Sequence, residues 1–308
     1  MKAAVISCRG LGDGLVSLTL SHNLFINGYE VTTYHPNLFE LQSWFKNLKI
    51  LKTDPVNNIL EDYDEIFISY ENSFFFNELV SKGKKKYKNK VYVLNPSSSK
   101  KNGTQPYYED AFFKNNISVV DNILLFCKNV LKLQNIEKTN GISCPYILAH
   151  RGHKTRVIIH PTSAKESKNW PIKKYVKLAL HLKAIGFTPV FVIAKNEQKL
   201  VSFVIENGLE IEAFDNLNDL AKYIYESQFM IGNDSGIGHM ASSLKIETLS
   251  IFRNYRTALL WRPGFYSSKI IYPSRFYPNP SFFRFRDKFW KYLITTNRLL
   301  KLFSVNKF

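Results

Sequence analysis

The sequence predicts an α/β protein made of two consecutive doubly wound halves, and three observations carry that expectation. Apolar runs of strand length alternate with segments of helical period from residue 3 to residue 133, and again from 156 to 252. The alternation is interrupted once, at residues 135–156, by Asn, Thr, Gly, Pro and His. Glycine-bearing turns follow the first strand and a late one, the ends at which parallel sheets take ligands.

In the first half, residues 3–8 read as a strand, 15–26 as a helix, 30–34 as a strand and 39–45 as a helix. Residues 65–69 and 90–94 read as strands and 119–133 as an amphipathic helix. The second half begins with a strand at 156–160 and a helix at 172–184. Strands at 187–194, 210–214, 229–232 and 248–252 follow, with helices at 197–207, 217–227 and 240–244 between them. Such βαβ alternation implies mostly parallel sheets covered by helices on both faces. The expected domains are residues 1–145 and 155–281, joined by a linker. Residues 282–308 are expected as a basic, aromatic C-terminal helix that docks on the core or lies on a membrane surface.

Net charge is +17, from 42 Lys and Arg against 25 Asp and Glu, which favours an anionic partner: nucleic acid, an anionic membrane or a phosphorylated substrate. No RNP, zinc-finger or homeodomain-like pattern is present, which argues against specific nucleic-acid recognition. Two segments concentrate the charge. Residues 82–90 carry six lysines and read as a solvated loop. Residues 253–308 carry twelve Lys or Arg against one acid, Asp287, with aromatics interleaved from Phe282 to Leu293. The three cysteines, Cys8, Cys127 and Cys144, have no metal-ligand spacing and read as reduced packing residues of a cytosolic protein. The N-terminal apolar run is too short for a signal peptide, and no window approaches the ~18 apolar residues of a membrane span.

Three segments can carry chemistry. The run 232–241, Gly-Asn-Asp-Ser-Gly-Ile-Gly-His-Met-Ala, lies between a strand end and a short helix. Unpaired N–H groups and the helix dipole make such a junction an anion site, most often for phosphate. Asp234 and His239 add polar side chains, although Asp234 or Ser235 would equally serve as a plain helix cap. The loop after strand one, Arg9-Gly10-Leu11-Gly12-Asp13-Gly14, has neither the dinucleotide fingerprint nor a P-loop Lys-Ser/Thr. It offers Asp13, either a general base toward a substrate hydroxyl or a cap for a helix beginning near Gly14. The loop 160–171 holds Thr162, Ser163, Lys165 and Lys168 before Trp170-Pro171, hydroxyls and cations that suit a diphosphate. No Ser/His/acid triad or zinc set emerges.

Together the Gly-Leu-Gly-Asp loop, the Thr-Ser…Lys-x-Trp-Pro loop and the Asp-Ser-Gly-x-x-His-x-Ala turn resemble the glycosyltransferase family 9 heptosyltransferases over about residues 1–262. The resemblance implies the GT-B architecture, two Rossmann-like domains with parallel sheets facing a central cleft. The N-terminal domain would receive the acceptor and the C-terminal domain the nucleotide-sugar donor, usually ADP-heptose. It implies an inverting transferase, and with fixed cationic and dipolar groups at the diphosphate and no acidic cluster in the sequence, no metal is expected. Asp13 is the implied base, with Arg9, Gly10 and Gly12 on the acceptor side. Thr162, Ser163, Lys168, Asp234, Ser235, Gly236 and His239 are implied at the donor, and Glu197 near its ribose. The implied acceptor is an anionic glycolipid of the lipopolysaccharide core, met at the cytoplasmic face of the inner membrane. The family's Gly-Pro-Thr-like loop is replaced here by Arg253-Asn254-Tyr255-Arg256, which leaves open a UDP- or GDP-linked donor. A non-catalytic partner protein and a basic nucleic-acid binder are the remaining alternatives.

Overall fold

The structure is a computed structural model that describes residues 1–52, 55–87, 89–94, 113–194, 197–280 and 282–304. The chain forms two compact units, Met1–Pro145 and Tyr146–Phe308.

Unit 1 has a five-stranded parallel sheet of β1 (Lys2–Ile6), β2 (Glu30–Tyr34), β3 (Lys49–Leu51), β4 (Glu65–Ser69) and β5 (Val91–Leu94), in the order β3-β2-β1-β4-β5. Its helices are α1 (Leu11–Phe25), α2 (Val56–Glu61), α3 (Phe74–Lys86) and α4 (Val119–Asn129). The central strand β1 is apolar along its buried length, Ala3 to Ile6, because helices cover both faces. The stretch expected as a helix at 39–45 is a 3-10 helix, Leu38–Trp44.

Unit 2 repeats the plan with six parallel strands: β6 (His153–His160), β7 (Thr188–Val192), β8 (Glu210–Glu212), β9 (Ser227–Asn233), β10 (Glu247–Ile251) and β11 (Ser268–Ile271). Their order is β11-β10-β9-β6-β7-β8. The helices are α5 (Ile172–Ala184), α6 (Gln198–Glu206), α7 (Leu217–Tyr225), α8 (Gly236–Ser243), α9 (Tyr255–Trp261), α10 (Phe285–Leu293) and α11 (Thr296–Ser304). In each sheet the chain reverses its winding once, between β1 and β4 and between β6 and β9. A doubly wound sheet opens a crevice at that switch, outside the carboxyl ends of the strands. The topology therefore marks the loops after β1 and β4 in unit 1, and after β6 and β9 in unit 2.

Several expectations are corrected. Most of the lysine run is not a loop: Lys82, Lys84, Lys85 and Lys86 form the last turns of α3, where cations complement the helix dipole, Lys90 lies in a turn, and Lys88 lies outside the described residues. Lys82 pairs with Glu78 one turn earlier at 2.7 Å. Residues 134–143 lie along α1, held by side-chain amides. Asn23 exchanges bonds with the backbone of Glu137, and Asn140 Nδ2 donates to Leu15 O at 3.1 Å. The C-terminal region holds two helices instead of one, parted at Ile294-Thr295, and residues 305–308 lie outside the described part. Trp290, Ile294, Leu299 and Phe303 are buried in the same cluster as Phe191, Phe229 and Ile231. The inner side of this region is therefore core, and deleting it would open unit 2.

All three cysteines are free thiols; Cys8 and Cys127 are buried. Burial pushes the Cys127 thiol up to about 12. Burial first, and then the Asp13 and Glu71 carboxylates, push Cys8 well above the ordinary range.

Candidate active site

In unit 2 the loops after β6 and β9 are locked together by Asn233, the last residue of β9, which is 1% exposed. Its Oδ1 accepts from the Trp170 backbone N–H at 3.0 Å and from the Tyr175 hydroxyl at 2.9 Å. Its Nδ2 donates to the carbonyl of Pro161. The buried Trp170 indole donates to Ile294 O at 3.1 Å, anchoring the far end of the same loop. So fixed, the loop brings Lys168 Nζ to 2.7 Å from Asp234 Oδ2, with the lysine partly exposed and the aspartate largely covered.

Helix α8 begins at Gly236, four residues earlier than the sequence suggests, so Gly236 and His239 belong to the helix itself. Ser235 is its N-terminal flanking residue, extended at φ −148° and ψ 161°, but its hydroxyl makes no capping bond. Ser235 Oγ and His239 Nδ1 are both shielded from solvent, and neither has a hydrogen-bond partner. No acidic residue lies in the first turn of α8. Burial pushes His239 down to about 4, with Asp234 opposing and Lys168 reinforcing, so the ring is neutral at pH 7. The helix start thus presents dipolar N–H groups, a hydroxyl, a neutral imidazole and an adjacent ammonium, a donor set that fits a diphosphate.

The other residues expected at the donor lie along the same edge. Thr162 is buried in the loop after β6. Ser163 Oγ already bonds within that loop, 2.7 Å from Asn169 Oδ1 and 3.0 Å from Lys165 O. Glu197 sits past β7, its carboxylate accepting from Ala194 N at 3.3 Å; Lys195 and Asn196 lie outside the described residues. His160, at the end of β6, donates from Nδ1 to Val192 O at 2.9 Å, and burial lowers its pKa. The loop after β10 is shaped by Asn254, whose Oδ1 accepts from Thr257 N at 2.9 Å and caps α9.

In unit 1, α1 starts at Leu11 and not near Gly14, which places Asp13 in its first turn. The carboxylate folds back over Gly10 so closely that any side chain at position 10 would collide with it. His35, fully buried at the end of β2, braces this turn. Its Nδ1 accepts from Leu38 N at 3.1 Å, so Nε2 carries the proton and donates to Gly10 O at 3.1 Å. Gly14 is required by this packing, because a β-carbon there would lie 2.6 Å from the His35 ring. Arg9 crosses to the loop after β4, with Nε 2.7 Å from Glu71 Oε1 and its backbone N–H 3.1 Å from Oε2. Beside it a cavity of about 740 Å³ is lined by Ile6, Ser7, Arg9, Tyr34, Phe75 and Phe76, among others.

Sequence reasoning passed over Asn233, Trp170 as an indole anchor, His35 and Glu71. Asn233 sits next to the Asp-Ser-Gly run, and a buried amide ending a central strand is the signal that would have found it. His35 and Glu71 act through long-range pairing that leaves no local pattern. Among the described residues, no group of three or more His, Cys, Asp or Glu is placed to hold a metal ion.

Comparison with known proteins agrees with this fold. Residues 123–282 match glycosyltransferase family 9 (heptosyltransferase). The chain belongs to that family. It is a glycosyltransferase, and its fold is shared with solved heptosyltransferases. The ADP-heptose lipopolysaccharide heptosyltransferase II of E. coli superposes with a TM-score of 0.68 at 16% identity, covering 99% of this chain and 98% of that one. E. coli heptosyltransferase WaaC with ADP gives 0.68 at 13% identity, over 99% and 100%. The family 9 glycosyltransferase of Veillonella parvula gives 0.67 at 14%, over 97% and 95%. Among curated protein sequences nothing matches the chain. At these identities the structural likeness establishes the GT-B fold of two Rossmann-like units; family membership rests on the sequence match.

Proposed function

We propose that this family 9 glycosyltransferase moves heptose from ADP-heptose to a hydroxyl of an anionic glycolipid of the lipopolysaccharide core, with inversion at the anomeric carbon. The observation that carries the reading is the start of α8. Its buried Ser235 hydroxyl and His239 nitrogen have no protein partner, and Lys168 stands beside them. The acceptor oxygen attacks the anomeric carbon as its proton passes to the Asp13 carboxylate and the bond to the diphosphate breaks. Negative charge then grows on the departing ADP, where Lys168, the N–H groups at Gly236 and the Ser235 hydroxyl stabilise it. Fixed cations and dipoles of this kind do the electrostatic work that a divalent metal performs in other transferases. Thr162 and Ser163 shape the phosphate loop, Glu197 approaches the ribose, and Arg9, Gly10 and Gly12 form the acceptor edge. The acceptor's lipid places the reaction at the cytoplasmic face of the inner membrane.

Incubation with ADP-heptose and lipopolysaccharide-core glycolipid tests the reading, with the anomeric configuration of the product determined by NMR. Inverted product and released ADP support it; retention of configuration removes Asp13 as the base of a single displacement. A second reading, a UDP- or GDP-linked donor, draws on the loop after β10, which reads Arg253-Asn254-Tyr255-Arg256 in place of the Gly-Pro-Thr-like loop expected of the family. Transfer from such a donor in place of ADP-heptose would establish it.

A further inference from the structure

We propose that the outward face of α10 and the loop before it form an insertion surface for an anionic lipid bilayer. Trp290 and Ile294 turn into the core, so the opposite side of α10 is left to solvent. That side is aromatic. Phe285, Phe289 and Tyr292 follow the i, i+4, i+7 stripe of a helix, with ring centroids 4.8 and 6.5 Å apart, and Phe283 extends the ladder at 6.0 Å from Phe285. Phe276 is 99% exposed, Phe282 89% and Tyr292 72%, values far above those of rings that belong to a protein interior. The loop carrying Phe276 is tied to the helix, Arg286 donating to Arg275 O at 3.2 Å and Asp287 N–H to Asn279 Oδ1 at 3.3 Å. Those bonds hold the loop at Arg275 and Asn279 against the first turn of α10. Exposed apolar surface of this kind marks an interaction site.

The charges around it select the occupant. Arg275, Arg284, Arg286, Lys288 and Lys291 fall in the same stretch of chain as the rings, against the single acid Asp287, which Arg284 already holds at 2.9 Å. Lys288 lies over the Phe283 ring at 4.9 Å. Aromatic rings that enter the acyl boundary, flanked by cations at headgroup level, are the composition of an interfacial helix on anionic lipid. A second copy of this chain fits poorly, since an isologous contact would bring the same cations face to face. Nucleic acid is the rival occupant, since exposed rings and cations also suit single strands, and the test below separates the two. No helix among the described residues is long and apolar enough to cross a membrane, so the contact is peripheral. This surface deepens the proposed membrane-borne acceptor, but bare vesicles test it whether or not that acceptor is correct.

The experiment is flotation of the full chain with phosphatidylglycerol–phosphatidylcholine vesicles and with pure phosphatidylcholine vesicles. Three proteins are compared: wild type, the triple variant Phe282→Ser/Phe289→Ser/Tyr292→Ser, and Lys288→Glu. The changed side chains are exposed, and an unchanged melting temperature and circular-dichroism spectrum verify that the fold is kept. Wild type is expected to bind the anionic vesicles in a salt-sensitive manner and the neutral ones weakly. The triple variant should lose at least about tenfold in partitioning, and Lys288→Glu about fivefold to tenfold. Lys82→Glu/Lys85→Glu on α3, which lacks such a ladder, should bind like wild type. A wild type that ignores anionic vesicles, or a folded triple variant that binds them undiminished, overturns the proposal. So does ring-dependent RNA binding, or ring-dependent dimerisation in sedimentation, without vesicle binding.

Discussion

Helices α1 and α8 both follow a central parallel strand at the topological switch of their sheet, yet their first turns are filled in opposite ways. The start of α1 supplies its own anion, because the Asp13 carboxylate folds over Gly10 while His35 binds the Gly10 carbonyl. The start of α8 has no acid in its first turn and leaves Ser235 Oγ and His239 Nδ1 buried without partners. The adjacent carboxylate, Asp234, is paired with Lys168 at 2.7 Å. A helix N-terminus that already holds a carboxylate repels a second anion; one that lacks it attracts a phosphate. The same supersecondary unit thus carries its own carboxylate in unit 1 and leaves its N-terminus open to an anion in unit 2, the contrast on which the proposed base and the proposed diphosphate cradle rest. The side chains at two or three positions decide which.

Exchanging or removing those side chains should break the contrast. The largest effect is expected for Asp13→Asn, with kcat falling at least ~10²-fold while ADP binding is retained. Turnover near wild type would remove Asp13 from catalysis. Lys168→Ala should next weaken ADP binding about tenfold to a hundredfold, the range for losing a charge-assisted hydrogen bond.

The third prediction concerns acid. His239 titrates near 4 in the folded protein and near its ordinary 6.5 when unfolded, so between those values the unfolded chain binds the extra proton. Stability of unit 2 should therefore be fully present above about pH 6.5 and fall by about 2 kcal/mol between pH 7 and pH 5. His160 shifts in the same direction. Denaturant midpoints against pH should show a shallower slope for His239→Gln, and an unchanged slope would contradict the assignment. The smallest effect is expected for Ser235→Ala. Its hydroxyl makes no bond within the protein, so stability should stay within about 0.5 kcal/mol while ADP affinity drops measurably. A large stability loss would mean that Ser235 is an ordinary cap.

The same contrast shows what was legible in the sequence. Strands β2 and β4 and helix α5 appear at the expected residues because the strands are rich in β-branched and aromatic residues and the helix holds one apolar face over 13 residues. Strand β3, of three residues, and helix α2, of six, are too short to carry a period, and tertiary packing holds them instead. The glycines at 236 and 238 hid the true start of α8, since low helix propensity is overridden where the helix packs under β10 and Pro263. Lys82–Lys86 concealed the end of α3 in the same way: the buried face is only Phe76, Leu79, Val80 and Gly83. Asp13, Lys168, Asp234 and Ser235 were readable because they lie within short motifs. Asn233, His35 and Glu71 were not, because their partners are distant in sequence.

The most direct test is calorimetric titration of ADP, UDP, GDP and CDP into wild type, Lys168→Ala and Asp13→Asn. Selective ADP binding, weakened at least about tenfold by Lys168→Ala and unchanged by Asp13→Asn, is the expected result. Equal affinity in the lysine variant, or no binding of any diphosphate to wild type, would contradict the claim that the start of α8 is the diphosphate cradle.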